Sequence, residues 1–95
     1  MKWLRALLGY GGPHEGDAID IHAARTVQSA AVALAESHAA ARNLAWRPPI
    51  EARLLWHAGR PCWFVRSNAI GRGFSVEVVI EDGTGTVVDE RVLPR

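Results

Sequence analysis

A change of hydrophobic period at Pro48-Pro49 constrains this chain more than any other feature. Before it, residues 18–46 contain no glycine or proline and are dominated by alanine, the strongest helix former. After it, apolar and polar residues alternate. Proline lacks an N–H and clashes with the preceding helical turn, so a helix cannot run through this point. The chain is therefore expected to be α+β: one long N-terminal helix, then a sheet.

Ile21, Ala24, Val27, Ala31, Leu34, His38 and Ala41 recur at three- and four-residue steps, which marks a core-facing stripe. Asp17 or Asp20 is expected to cap this helix, and Arg42 suits its C-terminal end. Beyond the prolines, Ile50, Ala52, Leu54 and Trp56 alternate with polar or outward residues, as in a half-buried strand. "HAGRP" turns the chain. "CWFVRS" is a second strand, with either Trp63 and Val65 or Cys62 and Phe64 inward. "NAIGRG" is expected to be a flexible connection. Phe74, Val76, Val78 and Ile80 form the inward set of a third strand, "DGTG" turns, and "TVVDERVL" returns as the fourth. The expected sheet is four-stranded and antiparallel, with one face on the helix and the other free.

Residues 1–16 are expected to stand apart from a single domain over residues 17–95. Trp3, Leu4, Leu7 and Leu8 have helical spacing, so a short helical segment is expected there. Gly9, Gly11, Gly12, Pro13 and Gly16 then interrupt regular structure. The apolar run at Trp3–Leu8 is broken by Arg5 and lacks a small-residue cleavage pattern. No membrane span is expected either, since none of the apolar stretches approaches the roughly 18 residues one needs. With Cys62 the sole cysteine, no internal disulfide can form. These features give a cytoplasmic expectation.

The acids and glycines invite chemical readings, and spacing argues against each. Lys and Arg (11) almost balance Asp and Glu (10), so the basic excess usual in nucleic-acid binders is missing. Glu81-Asp82-Gly83-Thr84-Gly85 lacks the alternating oxygen ligands of a calcium loop. It also leads into a strand, whereas a phosphate loop leads into a helix. Asp-Gly between apolar alternations instead signals a hairpin. Ile70-Gly71-Arg72-Gly73 is only a fragment of a nucleotide motif. His14, His22, His38 and His57 have no metal spacing. Cys62 beside His57 suggests a nucleophile and base, but the two flank a tight turn with no catalytic signature. Asp89 and Glu90 are adjacent on a strand and face opposite ways. No catalytic, metal or cofactor residues are expected, and the chain reads as non-enzymatic. Trp46, Trp56 and Trp63 are expected to seal the core, and His38 is the one polar member of the helix stripe.

In this layout the chain resembles the cystatin-like αββββ small domains of bacteria, closest in pattern to PepSY-like domains and NTF2-fold immunity proteins. The matching residues are Ile21 and Ala24, Pro49-Ile50-Glu51-Ala52, Trp63-Phe64-Val65, Gly71 and Gly73, and the hairpin Val78 to Val87. The match spans about residues 18–93. Arg60-Pro61-Cys62 departs from it, standing where the pattern has a plain glycine turn. The resemblance implies a binder: protease inhibition or chaperoning for PepSY-like domains, neutralisation of a cognate toxin for immunity proteins. The expected partner is thus another protein, a toxin or enzyme, occluded by the free sheet face. Arg53, His57, Arg66, Glu77 and Val79 on that face, with Asn68 and Arg72 in the connecting loop, are the candidate contacts. The alternatives are a structural subunit that self-associates through the sheet, and a small-ligand binder or enzyme with a pocket between helix and sheet.

Overall fold

The computed structural model describes residues 14–94. The expected N-terminal helical segment lies outside them. Among the described residues, one α-helix, α1 (Gln28–Ala41), packs on one face of an antiparallel meander. Its strands are β1 (Glu51–His57), β2 (Arg60–Arg66), β3 (Ser75–Glu81) and β4 (Val87–Leu93), paired in chain order. This is the α+β architecture that the period change predicts.

The helix is shorter than its alanine content suggests. Residues Ile21–Ala23 form a 3₁₀ turn capped by Asp20, whose carboxylate accepts from the His22 N–H. Residues 24–27 are then held away from the helix by tertiary contacts. The Asp82 carboxylate accepts from the N–H groups of Arg25 and Thr26, and Thr26 Oγ1 accepts from Gly83 N–H. The Trp63 indole N–H donates to the Thr26 carbonyl. Helix propensity loses to these bonds because a charged acceptor and a buried indole have few other partners. The late start also shifts the buried stripe. Ala31, Ala35 and Ala39 face the sheet with no exposure, while Ile21, Val27 and Leu34 stay exposed.

Small side chains along α1 let the sheet approach closely. The core beneath them is Leu54, Trp63, Val65, Val76, Val78 and Ile80, with Trp46 and Val87 packed at its margin. On β2 both sequence alternatives for the inward set are satisfied at once. Trp63 and Val65 face the helix, and Cys62, Phe64 and Val79 form a second buried cluster on the opposite side. The β1–β2 turn places Ala58 and Gly59 at positive φ, the signature of a two-residue hairpin loop. Phe74, expected as the first inward residue of β3, precedes that strand and is largely exposed.

Candidate functional site

On the face opposite the helix, register places Glu51, Arg66, Glu77 and Arg91 side by side across four strands. Glu77 is buried between its neighbours. Its Oε2 accepts from Arg66 Nη2 at 3.2 Å, and its Oε1 lies 3.5 Å from Arg91 Nη1. Arg91 also reaches Asp89 at 3.1 Å, and its guanidinium lies 6.0 Å from the Phe64 ring centroid. Alternating charges across strands attract, so this row fixes the pairing of the sheet.

The β1–β2 turn lies at the other end of these strands, on the same face. His57 meets Phe64 edge-on, with ring centroids 5.4 Å apart. Nδ1 of His57 lies 2.8 Å from Glu15 Oε2, and Glu15 Oε1 accepts from Ala58 N–H. The Ala58 bond, with the histidine beside it, holds the Glu15 carboxyl below its ordinary pKa. Cys62 is buried nearby, and burial, followed by the charge of Glu81, pushes its thiol up. A thiol held protonated is a poor nucleophile. His57 is tied to Glu15 and lines a shallow cleft with Ala58, Arg60, Cys62, Glu81 and Val88.

His38 marks the helix–β4 seam. Its Nε2 lies 2.7 Å from Glu90 Oε1, which also accepts from Arg42 Nε at 3.1 Å. The histidine contact, then Arg42, lowers the Glu90 carboxyl pKa. Among the described residues there is no group of three or more His, Cys, Asp or Glu side chains that could hold a metal ion, and no helix long and apolar enough to cross a membrane.

The most elaborately built surface feature is the β2–β3 loop, residues 67–74. Asn68, at φ +50°, donates through Nδ2 to the carbonyls of Arg72 (2.8 Å) and Phe74 (3.0 Å). Its backbone N–H donates to Arg47 O, and Ala69 N–H donates to Pro49 O, which ties the loop to the cis Pro48-Pro49 connection. Ser75 Oγ donates to Asn68 O. A Cβ on Gly71 would overlap Asn68 Oδ1, so any larger residue there would have to displace the Asn68 amide. This scaffold leaves Ile70 (85% exposed) and Phe74 (65%) in solvent, with Arg72 between them in the chain.

The structure divides the seven candidate contacts. Arg53 and Arg72 are exposed, and His57 and Arg66 are half-buried but already paired. Val79 is fully buried, Glu77 is buried between two arginines, and the Asn68 amide is committed to its own loop. These three shape the surface and are not presented by it. Spacing pointed outward for Glu77 and Val79, and both lie on the face opposite the helix, but Val79 is taken into the second cluster there and Glu77 is covered by Arg66 and Arg91. Ile70 and Phe74 are not among the expected contacts, Phe74 being expected inward on the third strand, although two apolar residues flanking Gly-Arg-Gly were the available signal. Comparisons with family models, curated proteins and solved structures give no match to this chain.

Proposed function

We propose that the chain is a non-enzymatic protein-binding domain whose contact surface centres on the β2–β3 loop. One observation carries this reading: a loop braced by its own buried amide holds two large apolar side chains in water. An exposed, isolated apolar residue is ordinary, but a rigid pair beside cations favours a docking role. Bracing also removes most of the ordering cost that a loop contributes on binding.

The partner surface that fits is an apolar pocket rimmed by carboxylates. Arg47 and Arg72 lie at this end of the molecule, and residues 43–50 and 67–74 contain no acid. Occlusion of a toxin or enzyme is the form this binding takes in the families that the sequence resembles. The test is affinity capture from the source cell with the full chain, run beside Ile70→Asp and Arg72→Glu variants. A stoichiometric partner lost by at least tenfold in either variant supports the reading. A partner retained equally by both variants overturns it. If the captured protein is an enzyme or toxin, titration with the wild-type chain should abolish its activity at a 1:1 ratio.

A further inference from the structure

The two edges of the sheet are treated differently by the fold. Backbone groups in an antiparallel sheet point alternately to one neighbour and the other. Ser67 N–H donates to Val76 O, so the groups of Val76, Val78 and Ile80 point to β2, and those of Glu77 and Val79 point to β4. By the same alternation, the outward groups of β1 belong to Ala52, Leu54 and Trp56. Toward the β1–β2 turn this edge is covered: Ile19 N–H donates to Leu54 O, Gly16 N–H donates to Trp56 O, and Trp56 N–H donates to Asp17 O. On β4, Asp89 and Arg91 pair inward, which leaves the N–H and C=O groups of Glu90 and Val92 on the outer side. Among the described residues, the Glu90 N–H is met there only by the carboxylate of Asp89.

We infer that β4 pairs antiparallel with β4 of a second copy of this chain, extending the sheet across a two-fold axis at Glu90. Hydrogen-bonded pairs require outward residues opposite outward residues, which leaves few registers. Centring on Arg91 places two arginines opposite each other. Centring on Glu90 sets Asp89 against Arg91 of the copy, twice, and brings Val92 to the β-bulge at Val88, the one residue of β4 without a β3 partner. Val88 and Val92 are about half exposed in the single chain. The two Glu90 side chains at the axis each carry His38 and Arg42, which offset their mutual repulsion. A closed two-fold pairing also removes the edge as a template for further addition. The inference is independent of the loop reading, because residues 67–74 take no part.

Sedimentation of the full chain over a micromolar concentration series tests this directly. The expected result is a dimer, with Val92→Lys reducing the association constant at least tenfold while leaving the far-UV circular dichroism unchanged. Register is tested by mixing a Val88→Cys chain with a Val92→Cys chain under mild oxidation. The mixture should form a cross-linked heterodimer several-fold more than either chain alone, with the wild type, whose Cys62 is buried, as control. A wild-type monomer throughout the series, or a dimer unaffected by Val92→Lys and without the mixed cross-link, overturns the inference.

Discussion

At the residue scale, Asn68 carries more structure than its place in a glycine-rich connection suggests. Asparagine is among the few non-glycine residues that tolerate positive φ, because its short amide can bond locally. Here that amide replaces the strand ladder that the chain abandons between β2 and β3, and Gly71 supplies the space it needs. Asn68→Ala should therefore destabilise the fold by about 2 kcal/mol, since two carbonyls lose their donor and alanine at positive φ is strained. Chemical denaturation measures the loss, and a change below about 0.5 kcal/mol would mean that solvent replaces the amide freely. The same variant should loosen the loop and weaken partner capture without altering Ile70 or Phe74. A turn at "NAIGRG" was legible from its glycines. Which side chain bound the turn together was not, because Asn68 works through carbonyls four and six residues away.

At the scale of elements, the strands were readable and the helix only in part. Alternation locates β1 to β4 because a half-buried strand writes its two faces directly into the sequence. The α1 boundary is different: nothing local stops the alanine-rich run at Val27, which offers no side-chain cap. The stop comes from Asp82, 56 residues away from Thr26, on the turn between β3 and β4. "EDGTG" reads correctly as a hairpin, yet its aspartate also acts as an acceptor for two amides of the segment before α1. Asp82→Ala should cost about 2 kcal/mol, in the range for hydrogen bonds to a charged acceptor. It should also free residues 24–27, visible as faster amide exchange at Arg25 and Thr26. If those amides exchange as slowly as in the wild type, the clamp is not what fixes the start of the helix.

At the scale of the whole molecule, two carboxylates join segments that are distant in sequence. Glu15 ties the stretch before the 3₁₀ turn to the β1–β2 hairpin through Ala58 and His57, and Glu90 ties β4 to α1 through His38 and Arg42. Neither seam was legible, since carboxylate–histidine pairs 42 and 52 residues apart leave no mark on local spacing. His38 and His57 each have a ring nitrogen engaged by one of these carboxylates. Both carboxyls are held below their ordinary pKa. A depressed folded-state pKa means that the unfolded chain binds protons first as pH falls. The stabilisation is complete above the unfolded value, about 4.3 for glutamate, and is lost as pH drops through the lowered folded value. Stability should thus hold level near neutrality and decline through the acid range. The Glu15→Gln/Glu90→Gln chain keeps the hydrogen-bonding shape of both groups but not their charge. It should be less stable than the wild type at pH 7 and show a shallower decline on acidification, with the two curves converging at the acid end. Denaturation midpoints measured between pH 7 and pH 3 test the sign. Parallel curves would mean that these two carboxylates do not carry the acid sensitivity.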